Sequence, residues 1–297
     1  MQLPILVELT KSKFLAKHII HYNKKSNKHS LTGNIKTKAK GQGLDFYQVR
    51  KYVFGDETKN IDWHVSARTN QIHVKEFYEE KETKIDVLCD VSPNMQFATI
   101  GRFKYLIAAE IVSLLCYAAE LNKELMQTIF FGQNLQNPVT FKQRNQKSLT
   151  LQILNFLCTK QKQHIVNSNN DLLNSVSLLN KKTKTKGICF IIITQIELEQ
   201  NLMSKLQQLS NKKEIYIINI YDIFDMKLPN KGTYTFTDAS NKEITINLNQ
   251  KKAVENYNKD AVKRHDNLVA FCNKAKIKLI DIATDDDILI KLLEGIG

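Results

Sequence analysis

The chain has 297 residues, of which 42% are hydrophobic, enough for one large domain or for a main domain with a smaller appendage. Its formal net charge is +13, but only five of its 43 basic residues are arginine and lysine is spread along the chain. This distribution disfavours a dedicated nucleic-acid binder, in which arginine and stacking aromatic residues are concentrated on one stripe.

Lysine is dense in two places. The stretch up to Lys40 carries nine lysines and one glutamate, and Lys181–Lys186 is a second cluster. We interpret both as solvated faces, and contact with nucleic acid or an acidic membrane surface is the alternative.

The five cysteines are far apart, each lies in an apolar stretch, and no CxxC occurs. This pattern indicates a reducing compartment and disfavours a disulfide framework or a zinc site. The first residues show neither a basic n-region nor a cleavage-site pattern, and the apolar runs stay below the roughly 20 residues that span a bilayer. We therefore expect a soluble, cytoplasmic protein that does not span a membrane.

Taken in chain order, residues 1–40 are predicted to form a basic N-terminal helical segment. Apolar residues recur at roughly helical spacing from Leu3 to Ile20, and Pro4 limits where the helix can start. Residues 41–83 differ in character, with many aromatic residues and alternating patches such as Ile72–Phe77. They are predicted to form a small β-rich subdomain.

From residue 84 to residue 297, strand-like and helix-like stretches alternate, which predicts an α/β domain with a doubly wound, mainly parallel, Rossmann-like sheet. Alternating residues near 232–249 predict an inserted β-hairpin. Thr284, followed by three aspartates, is predicted to cap the last helix. The predicted strands cover residues 84–90, 125–131, 187–194, 214–220 and 276–282, and the predicted helices cover 101–121, 148–158, 171–179, 197–209, 251–275 and 285–293.

The first strand of this domain leads into the best candidate for a site. The sequence contains no GxxxxGK[ST] loop, no GxGxxG after a strand, no HExxH and no GxSxG. Asp90, Ser92 and Asn94 follow the strand at the sheet edge where open α/β folds bind ligands. A hard cation such as Mg²⁺ needs about six oxygen ligands, so Thr194 and Gln195 at a neighbouring strand end would have to contribute. The alternative is an aspartate that only caps the loop and the following helix.

Several short motifs along the chain match those of a known family. The matching pieces are Gly43 with Asp45–Phe46, Arg50, Tyr52, Gly55–Asp56, Ile61–Asp62–Trp63, Ala67–Arg68, Lys75, Asp90 with Ser92, Asp222–Asp225, Leu228–Pro229 and Ala283–Asp287. This set resembles the domain of unknown function 58 family, whose members carry a von Willebrand factor A-like domain. The resemblance implies a cytoplasmic, non-enzymatic protein that works with a MoxR-type AAA+ ATPase, and with further von Willebrand factor A proteins, in chaperone-like assembly, metal insertion or stress tolerance.

The resemblance also implies a metal-ion-dependent adhesion site, in which DxSxS supplies the first oxygens and a Thr and an Asp come from other strand ends. Carried onto this chain, the metal ligands would be Asp90, Ser92, Asn94 and Thr194. Asn94 replaces the second serine and Gln195 stands where the aspartate is expected, so a hydroxyl and a carboxylate are lost. We therefore expect weak Mg²⁺ or Mn²⁺ binding at most, and a loop that contacts a protein.

The small subdomain carries six residues of the family motif: Asp45, Arg50, Asp56, Asp62, Trp63 and Arg68. Asp56, Asp62, Trp63 and Arg68 are predicted to form an internal set of ion pairs and stacking contacts that fastens the subdomain to the sheet. Direct contact of these residues with a partner is the alternative.

Three functional hypotheses remain, none of them enzymatic. The leading one is an interaction adaptor for a MoxR-type ATPase. The first alternative is a divalent-metal-dependent adhesion domain that uses the degenerate Asp-x-Ser-x-Asn site. The second is a binder of nucleic acid or anionic surfaces, which only the net charge of +13 suggests.

Overall fold

The computed structural model describes residues 3–25, 37–79, 84–132, 138–142, 145–159, 168–182, 187–229, 232–237, 243–249 and 251–296. The chain divides into two compact units, Thr32–Glu82 and Met1–Leu31 together with Thr83–Gly297. The predicted N-terminal segment is therefore shared between the units, and its helix belongs to the larger one.

Helices and strands are numbered here in chain order. The helices are α1 (Leu6–Lys25), α2 (Trp63–Thr69), α3 (Lys104–Asn122), α4 (Gln146–Cys158), α5 (Ser168–Lys182), α6 (Gln200–Ser210), α7 (Ile223–Met226), α8 (Lys251–Ala275) and α9 (Ile288–Ile296). The strands are β1 (Thr37–Lys51), β2 (His73–Glu79), β3 (Lys84–Asp90), β4 (Leu125–Phe131), β5 (Val139–Lys142), β6 (Gly187–Ile193), β7 (Glu214–Tyr221), β8 (Thr233–Thr237), β9 (Glu243–Asn247) and β10 (Lys278–Ala283).

A six-stranded sheet in the order β10-β7-β6-β3-β4-β5 forms the centre of the larger unit. β5 runs antiparallel to β4, and all the other neighbouring pairs are parallel. β3, β4, β6 and β7 are buried along nearly their whole length, as expected for strands that are covered on both faces. The predicted α/β class with a mainly parallel sheet is thus confirmed. The sequence pattern does not predict β5, because this edge strand is short and mostly exposed.

Helices cover both faces of this sheet. α1, α3, α4 and α9 contribute to the apolar core on one face. α5, α6 and α8 contribute to the core on the other. The predicted hairpin is present as the antiparallel pair β8 and β9.

Helix α1 packs against the same core as α3. Its Leu9 and Ala16 are buried, with 3% and 0% of their surface exposed. The Ser113 hydroxyl, inside apolar α3, donates a 2.7 Å hydrogen bond to the Leu9 carbonyl oxygen. The buried hydroxyl is thereby satisfied, and it ties α1 to α3.

Helix α3 is long and apolar enough to cross a membrane by length and composition, and it is the one such helix among the residues described. However, 72% of the apolar window is buried inside the unit, as in the core helix of a globular domain. Uninterrupted apolar runs in the sequence do not reveal this property, because Glu110 and Glu120 lie within the helix.

The cap of the last helix differs from the prediction. α9 begins at Ile288, and the Ile290 amide donates to the Asp287 side chain at 3.1 Å. The Thr284 hydroxyl instead donates to the Asp222 carboxylate at 3.0 Å. The prediction that Thr284 caps this helix is therefore wrong, because a tertiary partner takes its hydroxyl.

The smaller unit consists of the antiparallel pair β1 and β2, with the short helix α2 between them in sequence. The Asp62 carboxylate caps α2 by accepting from the amides of His64 and Val65, both at 3.1 Å. The Ser66 hydroxyl donates to the Asp62 carbonyl oxygen at 2.6 Å and accepts from the His73 amide at 2.8 Å. These bonds hold α2 against the start of β2.

A buried ion pair joins β3 to the chain just before β7. The Lys213 ammonium lies 2.5 Å from the Asp86 carboxylate, and both side chains have no exposed surface. Burying two charges is costly, and their mutual attraction helps to offset the loss of hydration.

We predict that Lys213→Met lowers the free energy of unfolding by about 3–5 kcal/mol, because the buried Asp86 loses its ammonium partner. Lys212→Met, at the exposed neighbouring position, is the control. The double variant Asp86→Leu/Lys213→Met should recover most of the loss, since an apolar pair has no charge to desolvate. Urea unfolding of the four proteins measures these differences, and equal stability of Lys213→Met and Lys212→Met would contradict the prediction.

Candidate functional site

The carboxyl ends of β3 and β6 lie side by side at the middle of the sheet. β3 is followed by α3 on one face, whereas β6 is followed by α6 on the other. Numbered along the chain, the six strands have the order 3-2-1-4-5-6, with the reversal between β3 and β6. Open α/β sheets bind ligands in the crevice at such a reversal. We call this region the carboxyl edge.

Asp90 and Ser92 lie together at this edge, each with 2% of its surface exposed. The Ser92 amide donates to the Asp90 carboxylate at 2.8 Å, so the loop after β3 is folded back on its own aspartate. Gly132, which follows β4, lies against Asp90 and Ser92. A Cβ atom at position 132 would lie 2.8 Å from the Asp90 carboxylate oxygen.

The other predicted metal ligands are not assembled around this pair. Asn94 lies in the short 3-10 turn Pro93–Met95, and its side chain is exposed while Asp90 and Ser92 are buried. Thr194 is buried at the end of β6, but its hydroxyl accepts a 3.1 Å hydrogen bond from the Lys104 ammonium group.

Lys104 belongs to a closed polar set that the sequence analysis does not predict. Its ammonium group pairs with the Asp225 carboxylate of α7, and its side chain is 2% exposed. The side-chain amide nitrogen of Gln195 donates to the same carboxylate at 2.6 Å, and the backbone amide of Asp222 donates to it at 2.8 Å. We call Lys104, Thr194, Gln195 and Asp225 the lysine cluster.

The sequence indicates this cluster only through a charged residue, Lys104, at a position where the core is expected. Lys104 is the first residue of a helix whose following residues are nearly all buried, and a lysine there needs a partner. The identity of that partner could not be predicted, since Asp225 is 121 residues away and β6 supplies the remaining contacts.

The Asp171 carboxylate of α5 also lies near Asp90, and the sequence pattern does not predict this. Burial raises the pKa of Asp90 to about 6, the Ser92 amide and hydroxyl oppose this rise, and the Asp171 charge adds to it. Burial also raises the pKa of Asp171, against a hydrogen bond from the Gly132 amide. The sequence pattern does not distinguish Asp171, because an acidic residue in the first turn of a helix is common.

Asp222 connects the loops that border the edge. Its carboxylate accepts from the amide and the hydroxyl of Thr99, both at 2.7 Å, from the Thr284 hydroxyl at 3.0 Å and from the Phe224 amide at 2.9 Å. Burial alone would raise the pKa of Asp222, but these hydrogen bonds outweigh it and lower the pKa. The aspartate is therefore a charged anchor for three segments.

Two large apolar side chains project from the segments that Asp222 holds. Ile100 is 58% exposed and follows Thr99, and Ile223 is 53% exposed and follows Asp222. Ile100 precedes α3 and Ile223 begins α7, so both exposed isoleucines lie on segments that hydrogen bonds fix, and each can contact a protein.

The residues present do not fit a divalent cation of the adhesion-site type. Among the described residues, no group of three His, Cys, Asp or Glu side chains could hold a metal ion. The oxygen that β6 offers, on Thr194, is bonded to an ammonium group, and the amide nitrogen of Gln195 faces Asp225. Asp90, Ser92 and Asp171 alone leave most of an octahedral shell to water.

The motif residues of the smaller unit do not form the predicted set. Arg50 supplies the arginine fork, bonding Asp56 at 2.6 and 2.8 Å, and Asp56 also accepts from the Val53 amide at 2.9 Å. Asp62 caps α2 and lies 3.7 Å from the Lys75 ammonium. The prediction that pairs Arg68 with Trp63 and the aspartates is therefore wrong.

The remaining motif side chains of this unit are placed as follows. Trp63 is 67% exposed, and Arg68 is exposed as well. Asp45 lies in β1 opposite Tyr78, and its side chain is outside the described residues. Arg50, Asp56 and Asp62 thus have structural contacts, whereas Trp63 and Arg68 are available at the surface.

We predict that Asp90→Asn changes how stability depends on pH. The folded-state pKa of Asp90, about 6, lies above the usual 3.8, so the folded state binds the proton more tightly and loses stability as pH rises from about 4 to about 6. Asparagine cannot ionise and can still accept from the Ser92 amide. The free energy of unfolding of the variant, relative to that of the wild type, should therefore rise by up to about 3 kcal/mol between pH 4 and pH 7.

Chemical unfolding at several pH values tests this expectation. Asp266→Asn, at an exposed position of α8, controls for the general effect of losing one carboxylate. A difference between Asp90→Asn and the wild type that does not vary with pH would contradict the prediction.

Comparisons with known proteins add relatives at low identity. The uncharacterized proteins Rv1480 of Mycobacterium tuberculosis and Mb1516 of Mycobacterium bovis are each 23% identical over 199 residues, which cover 67% of this chain and 62% of the relative. The match thus spans less than two thirds of the length of these curated relatives.

Solved structures with a similar fold are also distant. BatB from Bacteroides thetaiotaomicron is 13% identical with a TM-score of 0.41, over 72% of this chain and 97% of that one. An aerotolerance-related membrane protein from Bacteroides fragilis is 11% identical with a TM-score of 0.41, over 72% and 98%. The SpRpn10 VWA domain is 14% identical with a TM-score of 0.41, over 73% and 96%. Because the identities and TM-scores are this low, the fold class is inferred from the order and direction of the strands and not from these structures.

A protein-family model also matches the chain. The family described as "Protein of unknown function DUF58" matches residues 48–267, which is most of the chain and spans both units. These residues include the motifs of the smaller unit from Arg50 to Lys75, Asp90 with Ser92, and Asp222 with Asp225. This chain therefore belongs to the DUF58 family.

Proposed function

We propose that this protein is a non-enzymatic interaction module that binds a partner protein through the carboxyl edge of its sheet. The observation that carries the proposal is the pair of exposed isoleucines, Ile100 and Ile223, on segments that Asp222 holds in place. An apolar contact on a fixed loop loses little conformational freedom on binding, which favours a stable complex.

The chemistry of the edge supports binding rather than catalysis. Asp222 is saturated by hydrogen bonds from neighbouring loops, and Asp225 is bonded to Lys104 and Gln195. Polar groups that satisfy one another in this way stabilise the loops. A catalytic group would instead have to face a substrate.

The proposed partner is a MoxR-type AAA+ ATPase, with further von Willebrand factor A proteins as additional partners. This choice rests on the family and on the motifs that carry it. In this proposal the protein acts in the cytoplasm, where the complex serves chaperone-like assembly, metal insertion or stress tolerance. Trp63 and Arg68 of the smaller unit, both exposed, offer a second contact for the same partner.

We predict that Ile100→Asp and Ile223→Asp each weaken binding to the cognate MoxR-type ATPase roughly tenfold, because a charge replaces a buried apolar contact at the interface. Leu151→Asp is the control, since Leu151 is 47% exposed on α4, a helix that contributes no side chain to the carboxyl edge described above. The affinities are measured by calorimetry with purified proteins, in ATP and in ADP.

Two results would contradict the proposal. The first is the absence of any complex between the wild-type protein and the ATPase in either nucleotide. The second is a complex that Ile100→Asp and Ile223→Asp weaken no more than Leu151→Asp does, because the interface would then lie elsewhere.

A further inference from the structure

Lys104 is a charged residue in a place where charges are rarely found. It opens α3, whose positions 107–109 and 111–119 are all buried, and only 2% of its side chain is exposed. An ammonium group at such a position is stable only if it is paired and hydrogen-bonded.

The surroundings of this ammonium group supply both requirements. It pairs with the Asp225 carboxylate and donates to the Thr194 hydroxyl at 3.1 Å. It also lies 5.4 Å from the centre of the Phe97 ring, within the range of a cation–π contact. Carboxylate, hydroxyl and aromatic face together surround one positive charge.

The cluster occupies the strand end that would serve a metal ion. Thr194 and Gln195 directly follow β6, next to β3 and its Asp90. The Thr194 hydroxyl oxygen already accepts from the ammonium group, and the Gln195 side chain turns its nitrogen toward Asp225. A divalent cation entering here would lose these oxygens and would be repelled by the fixed charge of Lys104.

We propose that the ammonium group of Lys104 takes the place of a divalent cation at the carboxyl edge, so that this edge keeps its shape without metal. If the edge binds a partner as proposed above, that binding requires no metal ion held by the protein. The test of this replacement needs no partner.

The first experiment measures Mn²⁺ binding to the wild-type protein by electron paramagnetic resonance at millimolar Mn²⁺, with Asp90→Asn and Asp225→Asn as the comparisons. We expect that the wild type binds no Mn²⁺ at a site that depends on Asp90. Bound Mn²⁺ in the wild type that is lost in Asp90→Asn would overturn the proposal. Mn²⁺ that survives in Asp90→Asn but is lost in Asp225→Asn lies in the lysine cluster and would overturn the proposal as well. Mn²⁺ that binds all three proteins equally lies elsewhere, and the proposal then stands.

The second experiment removes the ammonium group. Lys104→Ala should lower the thermal unfolding temperature and leave a site beside Asp225 and Thr194 that an added cation can fill. Methylammonium or Mn²⁺ should then raise the unfolding temperature of Lys104→Ala, while sodium chloride of equal ionic strength should not. The wild type and Lys147→Ala, at an exposed position of α4, should not respond.

Lys104→Ala that is as stable as the wild type, or that responds to neither cation, would overturn the proposal. If Lys104→Ala does not fold, the Mn²⁺ measurement on the wild type decides alone. Neither experiment depends on the ATPase, so failure here is distinguishable from failure of the proposed function.

Discussion

The four hydrogen bonds to the Asp222 carboxylate are the interaction on which the carboxyl edge depends. They join the loop before α3, the end of β7 and the end of β10, which are 123 and 62 residues apart in sequence. Because a parallel sheet buries both faces, its polar groups must be satisfied where the strands end. Asp222 does this for three segments at once, and its lowered pKa reflects the same bonds.

The lysine cluster depends on the same anchor. The Asp222 amide donates to Asp225, which forms a capping box with Asp222 at the start of α7 and orients the carboxylate toward Lys104. One short helix turn therefore holds the acidic partner of a buried cation. The exposed Ile223 lies in that same turn, so the buried charges and the exposed apolar surface are fixed by a common set of bonds.

The two aspartates at the edge have opposite electrostatic surroundings. Asp222 is bonded on all sides and its pKa is lowered, whereas Asp90 is buried beside a second carboxylate and its pKa is raised to about 6. A family metal site would place the cation near Asp90. The positive charge present is that of Lys104, which pairs with Asp225, bonds Thr194 and opposes the rise in the pKa of Asp90.

What the sequence determines by itself is the class of fold and the position of the edge. Short, mainly apolar stretches identify β3, β6 and β7, and Asp90 with Ser92 marks where β3 ends. Such features are local, since each depends on residues within one element. The family motifs are local as well, and they correctly indicate DUF58.

Only the tertiary structure decides which side chains meet at that edge. Thr284 looks like a helix cap in sequence but bonds Asp222, Arg68 looks like an ion-pair partner but Arg50 takes that role, and Lys104 reaches Asp225 across the sheet. Each of these partners lies on a different segment, and hydroxyls and charges bond whichever partner the packing brings within about 3 Å. The sequence therefore predicts where a site lies, and the packing of strands and helices determines which charge occupies it.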